Sequence, residues 1–173
     1  MKKGVFLDRD GVINEVMTER VKYVNKPQDL FFLDGALDAI RLLTESGYDI
    51  FIITNQGGVG LGYLKESVLQ AIHAKMLKEI ENSGGRITEV VYCPHAPYSG
   101  CSCRKPEPLL LLNLIEKYKL TANDTFMIGD RETDIEAGKR AGTRTILIGD
   151  NPGIGDFQFS SLVHAAKWIV KEG

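Results

Sequence analysis

Short apolar runs alternate with longer segments of helical periodicity along this chain. The runs have the length and the β-branched or aromatic content of buried strands. They are Val5 to Leu7, Tyr48 to Ile53, Ile87 to Tyr92, Thr125 to Ile128 and Arg144 to Ile148. Strands that alternate with helices predict an α/β fold with a parallel, doubly wound sheet and right-handed crossovers.

Five helices are predicted between and after these strands. The first opens at Asp34-Gly35, buries a face that includes Ile40 and Leu43, and ends at Gly47. The second contains His73, which we expect to be a surface or hydrogen-bonded histidine because no metal-binding partner lies at helical spacing. The second to fifth predicted helices span Lys65 to Asn82, Leu109 to Tyr118, Asp134 to Ala141 and Ser161 to Lys171.

One irregular segment, Glu15 to Asp29, is too long for a tight turn. Loops of this length inside a compact domain are usually functional or disordered. Because this one follows the first strand directly, we expect it to form a flap over whatever that strand carries. No other segment between the predicted elements is long enough for a separate cap domain.

Composition narrows the class of protein. The chain has 173 residues, of which 43% are hydrophobic and 25% are charged, with a net charge of -2, which is typical of one soluble globular domain spanning residues 1–173. Its lysines and arginines are scattered among acids, so no nucleic-acid partner is expected. Without a membrane-spanning window or signal-peptide pattern, a cytoplasmic location is expected, where cysteines stay reduced.

Two carboxylates stand at the end of the first strand, Asp8 and Asp10, followed by Gly11. Side chains two apart in an extended segment point to the same side, so both are expected to face one small volume. Like charges held so close need a cation or a shared proton. The alternative is that the pair only ends a strand and caps a turn.

Later strand ends carry matching polar groups. The second strand is followed by Thr54-Asn55-Gln56 and a glycine-rich loop, residues 57–62, with neither phosphate-loop nor dinucleotide-binding spacing. This loop either presents N–H groups to a phosphate or is a mobile turn. Asp130 and Asp134 follow the fourth strand. Arg104 and Lys105, which are consecutive in the sequence, are either a phosphate-binding pair or a solvated one.

All three cysteines lie in one short loop with a histidine. Cys93-x-His95 and Cys101-x-Cys103 offer four ligands that suit a closed, tetrahedral and therefore structural Zn²⁺ site. The alternatives are free thiols or a Cys93–Cys101 disulfide.

Four strand ends or the loops just after them supply four polar groups, namely Asp8/Asp10, Thr54, Lys105 and Asp130/Asp134. In a parallel sheet these groups lie together at the carboxyl edge. They are the side chains needed for phosphoryl transfer through a phosphoaspartate with Mg²⁺.

The four groups also match a known family. Asp8-x-Asp10, Thr54, Lys105 and Gly129-Asp130-x-x-x-Asp134 resemble the motifs of haloacid-dehalogenase-like phosphatases over nearly the whole chain. The loop sequences around Cys93-Pro94-His95 and Cys101-x-Cys103-Arg104-Lys105 are similar to those of the D-glycero-D-manno-heptose 1,7-bisphosphate phosphatases and the related histidinol-phosphate phosphatases.

The resemblance implies a mechanism. Asp8 would be the nucleophile, and Asp10 would protonate the leaving alcohol and then activate water. Mg²⁺ would be bound by the Asp8 carboxylate, the Asp10 carbonyl oxygen and Asp130, with Asp134 holding a metal-bound water. Thr54 and Lys105 would stabilise the transferring phosphoryl group. Candidates for binding the rest of the substrate are Asn55, Gln56, Arg104 and Arg131.

The expected activity is hydrolysis of a heptose 1,7-bisphosphate at its 7-phosphate by a monomeric enzyme. A histidinol-phosphate phosphatase or another small sugar-phosphate phosphatase is the alternative within the family. From other classes, a phosphate-receiving signalling domain also uses an aspartate, Mg²⁺, a threonine and a lysine, but it needs neither Asp10 nor a zinc loop. A non-catalytic sugar-phosphate-binding module is the remaining alternative.

Overall fold

The computed structural model describes residues 2–151 and 153–173. Six parallel strands form one sheet in the order β3-β2-β1-β4-β5-β6. The strands are β1 (Gly4–Leu7), β2 (Asp49–Asn55), β3 (Glu89–Cys93), β4 (Phe126–Gly129), β5 (Arg144–Ile148) and β6 (Phe157–Phe159). The helices are α1 (Ala36–Glu45), α2 (Glu66–Asn82), α3 (Leu109–Tyr118), α4 (Glu132–Arg140) and α5 (Leu162–Glu172), with 3₁₀ turns at Pro27–Asp29 and Ala122–Asp124.

The predicted α/β fold with a parallel, doubly wound sheet is confirmed, but β6 was not predicted. The three residues of β6 pair with β5 at the sheet edge, and Phe157 and Phe159 pack around Trp168 of α5. A strand this short has too few alternating positions to be told from a loop. The strand β2 also extends two residues beyond its predicted end, so that Thr54 and Asn55 belong to the sheet.

Helices cover both faces of the sheet. Val5 and Leu7 of β1 lie in a core with residues of α1, α2 and α5, whereas Phe6 points to the other side and packs in a core with residues of α3 and α4. Every residue of β1 is buried, as expected for a central strand of a parallel sheet. Within the described ranges, no helix is long and apolar enough to cross a membrane.

The sheet order places a topological switch point beside β1. The chain runs outward from β1 through β2 to β3, and then returns to the other side of β1 with β4. Connections on opposite faces leave a crevice at the carboxyl ends of such strands, where ligands bind in open α/β sheets. Among residues 2–151 and 153–173, no separate cap domain covers this edge. The segment 15–29 and the loop 93–105 lie over it instead.

Candidate active site

The ends of β1 and β4 bring the predicted carboxylates together. Asp8 directly follows β1, and its N–H donates to the carbonyl of Ile128 in β4 at 3.0 Å, which continues the ladder by one residue. Asp130 directly follows β4, and Asp134 lies in the first turn of α4. Carboxylate oxygens of these three aspartates all lie within 4.8 Å of one another. This is the clustering that the strand-end pattern predicted.

Lys105 is the cation at the centre of this cluster. Its Nζ donates to Asp8 Oδ1 at 3.0 Å, to Asp134 Oδ1 at 2.6 Å and to the carbonyl of Ile53 at 2.8 Å. The residue is only 3% exposed, so these three acceptors account for all three N–H bonds of its ammonium group. Burial alone would lower the pKa of Lys105, but the carboxylates of Asp8 and Asp134 together outweigh burial and raise it above its usual range. Lys105 is therefore charged.

The protonation of Asp8 depends on the positive charge around it. Burial, followed by the nearby Asp134 carboxylate, raises the pKa of Asp8 to about 8, even though Lys105 acts in the opposite direction. Burial and Asp134 also raise the pKa of Asp130. A nucleophilic carboxylate must be ionised, and an additional cation in this cluster would favour that form.

A divalent cation fits the residues present. The Oδ1 atom of Asp130 is buried and has no hydrogen-bond partner in the part of the chain that the structure describes. Gly11 has a φ of +84°, and a Cβ atom there would lie 2.1 Å from Asp130 Oδ2, so the close approach of the two strand-end loops requires glycine. The hard carboxylate oxygens of three aspartates, one of which has an oxygen without a hydrogen-bond partner, are suited to Mg²⁺.

Asp10 lies in a different hydrogen-bonding environment from Asp8. Its Oδ1 accepts from Arg9 Nε and Nη2 at 3.0 and 2.9 Å and from Asn14 Nδ2 at 2.9 Å, and its Oδ2 accepts from Gln56 Nε2 at 3.3 Å. Burial would raise the pKa of Asp10, but Arg9, Asn14 and Gln56 together hold it below its usual range. Asp10 is therefore the ionised carboxylate of the pair.

Two residues of this environment, Arg9 and His73, were not among the predicted site residues. Arg9 is only 1% exposed, and its Nη1 lies 3.0 Å from Nε2 of His73, which α2 contributes. His73 is thus the hydrogen-bonded alternative of its two predicted states. The available signal was a histidine on the same helical face as Leu69 and Met76, which are both buried.

The last two residues of β2 have different hydrogen-bonding roles. Thr54 is 1% exposed, and its Oγ1 accepts from Gln56 Nε2 at 2.8 Å. Asn55 points the other way, as expected for the next residue in a strand. Its amide donates to the Lys105 carbonyl at 3.1 Å and accepts from the Lys105 N–H at 3.0 Å. Both polar groups of Asn55 therefore hold the backbone that carries the buried lysine.

The predicted zinc ligands converge. Cys93 Sγ lies 3.6 Å from Cys101 Sγ and 2.9 Å from Cys103 Sγ, and His95 Nδ1 lies 3.4 Å from Cys93 Sγ and 3.2 Å from Cys103 Sγ. All four donor atoms fall within 4.8 Å of one another, and the cysteines are not disulfide-bonded. Ligands about 2.3 Å from a tetrahedral Zn²⁺ would be spaced similarly, so the four side chains fit that ion.

The cysteine loop also packs against the glycine-rich loop. The Gly60 N–H donates to the Pro94 carbonyl at 2.8 Å, and the Gln56 N–H donates to the Cys93 carbonyl at 2.8 Å. A Cβ atom on Gly60 would lie 2.5 Å from the Ala96 nitrogen, so this contact between backbones requires glycine. The glycine-rich loop is thus joined to the end of β3 and is not a free turn.

These loops surround a cavity of about 1450 Å³ above the aspartates. The segment 15–29 contributes Lys22, Tyr23 and Asn25 to its wall, in agreement with the predicted flap. Arg104 and Arg131 both line it; Arg131 is exposed, whereas Arg104 Nη1 is buried without a hydrogen-bond partner among the described residues. A guanidinium group with an unused buried donor is suited to an anionic group of a ligand.

Comparisons with known proteins agree with this geometry. A family model described as HAD-hydrolase-like matches residues 102–153. The D-glycero-alpha-D-manno-heptose-1,7-bisphosphate 7-phosphatase of Campylobacter jejuni is 39% identical over 163 residues, which cover 92% of this chain and 91% of the relative. The D-glycero-beta-D-manno-heptose-1,7-bisphosphate 7-phosphatase of Rhodopseudomonas palustris is 40% identical over 148 residues, covering 82% and 80%.

A solved structure is similar over the full length of both chains. The D,D-heptose 1,7-bisphosphate phosphatase of B. bronchiseptica, complexed with magnesium and phosphate, superposes with a TM-score of 0.90 at 30% identity, covering 100% of each chain. The predicted family is therefore confirmed, and with it the predicted class of enzyme, a phosphatase. The chain belongs to the haloacid-dehalogenase-like phosphatases, in the group that includes the heptose-1,7-bisphosphate 7-phosphatases.

Proposed function

We propose that this phosphatase hydrolyses a sugar phosphate monoester through a phosphorylated Asp8. The observation that carries the proposal is the convergence of Asp8, Asp130 and Asp134 on Lys105 at the carboxyl edge of the sheet. A buried carboxylate beside a fixed ammonium group, at the base of an open cavity, is arranged for attack on an anionic phosphoryl group. We further propose a single domain that acts as a monomer, since the catalytic groups named here all come from one chain.

The reaction has two balanced steps. In the first, a carboxylate oxygen of Asp8 attacks phosphorus, the bond from phosphorus to the ester oxygen breaks, and Asp10 gives a proton to the departing alcohol. In the second, a water molecule gives a proton to Asp10 and attacks phosphorus, the bond to Asp8 breaks, and phosphate leaves. Asp10 must bind a proton before the first step, which the negative charge of the arriving phosphate favours.

The remaining predicted residues position these groups. When substrate binds, Lys105 would exchange its hydrogen bond to Asp8 for one to a phosphoryl oxygen. Thr54, whose hydroxyl can donate while it accepts from Gln56, would donate to another phosphoryl oxygen. Asp8, Asp130 and the Asp10 carbonyl would hold Mg²⁺, and Asp134, whose two oxygens bond Lys105 and the Arg131 N–H, would hold a water of that ion. When bound, the ion would neutralise charge between the anionic nucleophile and the anionic substrate.

We propose that Cys93, His95, Cys101 and Cys103 bind a structural Zn²⁺ that fixes the segment leading to Arg104 and Lys105. Only one residue separates Cys103 from Lys105, so the position of the metal ligands determines where the lysine lies at the edge of the sheet. Four protein ligands leave no position for a reacting water. The expected role is therefore positional.

Purified wild-type protein should contain about one zinc per chain, bound independently of Mg²⁺. Cys101→Ala is expected to lose zinc, and a displacement of Lys105 by about 1 Å would lower turnover on the order of 10²-fold. Metal analysis and steady-state kinetics on the same preparations test this. Ser102→Ala, an exposed change in the same loop, is the control. Zinc-free protein with full turnover and reactive thiols would contradict the proposal.

For the substrate, we propose a heptose 1,7-bisphosphate that is hydrolysed at its 7-phosphate. The supporting feature is Arg104, which lines a cavity with room for more than the reacting phosphate and whose Nη1 has no hydrogen-bond partner among the described residues. A second phosphate would accept hydrogen bonds from this guanidinium. Histidinol phosphate carries an amine instead, which Arg104 and Arg131 would repel. The names of the relatives from C. jejuni and R. palustris also favour the heptose substrate.

The wild type is expected to have a higher kcat/KM for heptose 1,7-bisphosphate than for histidinol phosphate. Arg104→Ala should narrow that gap about 10–100-fold, because a charge-assisted hydrogen bond to the second phosphate is lost. Arg86→Ala, at an exposed position shortly before β3 and therefore near the amino ends of the strands, should leave the ratio unchanged. A wild type that prefers histidinol phosphate would exclude the heptose substrate but not the phosphatase mechanism.

A further inference from the structure

A buried polar chain connects helix α2 to the catalytic loop. His73 is 7% exposed and Arg9 is 1% exposed, and they meet through Nε2 and Nη1 at 3.0 Å. From Arg9 the chain continues through Nε and Nη2 to Asp10 Oδ1. One guanidinium group thus uses one side to hold the carboxylate and the opposite end to contact the histidine.

The chemistry of arginine fixes the state of the histidine. A guanidinium can only donate, so His73 Nε2 must accept, and the ring must be neutral with its proton on Nδ1. Burial, followed by the Arg9 charge, lowers the pKa of His73 to about 4, which agrees with a neutral ring at physiological pH. The ring also lies 5.8 Å, between centroids, from that of Tyr92 in β3, so helix and sheet both limit its movement.

We propose that His73 is a positioning residue for the acid–base step, acting through Arg9 to hold the Asp10 carboxylate. Without the Nε2 acceptor, the Arg9 Nη1 donor is buried and unpaired, which favours rotation of the guanidinium. Rotation would remove two of the three hydrogen bonds that Asp10 Oδ1 accepts and leave only the one from Asn14. This inference rests on the proposed mechanism, in which Asp10 protonates the leaving group.

The test compares two leaving groups. A sugar alkoxide leaves poorly unless it is protonated, whereas nitrophenolate from p-nitrophenyl phosphate needs no acid. The quantity measured is kcat/KM, which covers the steps up to departure of the leaving group. His73→Phe keeps an aromatic ring but has no acceptor. It is expected to lower kcat/KM about 10–100-fold for heptose 1,7-bisphosphate and less than about threefold for p-nitrophenyl phosphate.

Two variants and one measurement complete the design. His73→Gln restores an acceptor and should recover most of the kcat/KM for the heptose. His164→Phe removes a histidine of α5 and should leave kcat/KM unchanged for both substrates. If His73→Phe does not fold, ¹⁵N NMR of the wild-type histidines decides: the inference requires a neutral His73 ring protonated on Nδ1. The opposite tautomer or a charged ring near pH 7 would overturn it.

The outcomes separate this inference from the function it rests on. A folded His73→Phe protein with the wild-type ratio between the two substrates would overturn the positioning role, because a purely structural loss lowers both activities equally. A wild type that hydrolyses neither substrate with Mg²⁺ would instead overturn the proposed function, and the positioning role with it. Selective loss on the heptose with recovery in His73→Gln would support the inference.

Discussion

Asp8→Asn is expected to lower turnover about 10⁴-fold or more while the protein stays folded. The amide cannot attack phosphorus, so no covalent intermediate can form. The fold should tolerate the change because it removes a carboxyl group whose charged form is disfavoured by burial and by Asp134, and Lys105 keeps its bonds to Asp134 and to the Ile53 carbonyl. Steady-state phosphate release and a thermal unfolding curve are the measurements.

Asp38→Asn is the matched control, since Asp38 is an exposed aspartate of α1 that pairs with Arg41. It should have wild-type kinetics. Acid-quenched wild type, mixed with substrate, should also contain protein-bound phosphate that Asp8→Asn lacks. Substantial turnover by purified Asp8→Asn, free of wild-type contamination, would exclude the covalent mechanism.

Lys105→Met is expected to have the second largest effect, because the lysine serves both catalysis and stability. Loss of a fixed donor to the transferring phosphoryl group should lower kcat about 10²–10³-fold. Loss of the cation leaves Asp8 and Asp134 buried without their partner, which should reduce the free energy of unfolding by about 3–5 kcal/mol. Denaturant unfolding and steady-state kinetics would measure the two effects separately.

Lys117→Met provides the comparison for Lys105. Lys117 also pairs with a carboxylate, that of Glu89, but its side chain is 61% exposed, so its loss should reduce the free energy of unfolding far less than the loss of Lys105 does. Turnover should not change. If Lys105→Met were as active and as stable as Lys117→Met, the buried lysine would have no part in the reaction.

The strand-end residues were predictable because period and composition determine them. A buried run ending in Asp8, and another ending before Asp130, must in a parallel sheet place both at one edge. The convergence of the four candidate zinc ligands was predictable for another reason, since Cys93 and Cys101 lie close together in the sequence. These predictions needed no knowledge of which way a particular side chain turns.

The positions that sequence reasoning did not resolve depend on side-chain direction. Asn55 is a substrate-binding candidate by the family resemblance, and that role stays a prediction. Adjacent residues of a strand point to opposite faces, and the observed bonds of Asn55 hold the Lys105 backbone, which sequence reasoning did not anticipate. Arg9 reaches His73 across 64 positions of the sequence, so no local pattern relates the two. A long-range hydrogen bond of this kind is set by helix packing, which periodicity alone does not specify.

The central position of β1 has a consequence for how the chain folds during synthesis. β1, which carries Asp8 at its end, is paired on one side with Asp49–Asn55 and on the other with Phe126–Gly129. Until residues 126–129 have left the ribosome, one edge of β1 has no partner, and Asp8 does not have Asp130 beside it. Pairing over such sequence separations is slow and exposes apolar edges. The active site therefore assembles late, and it is completed after most of the chain has been translated.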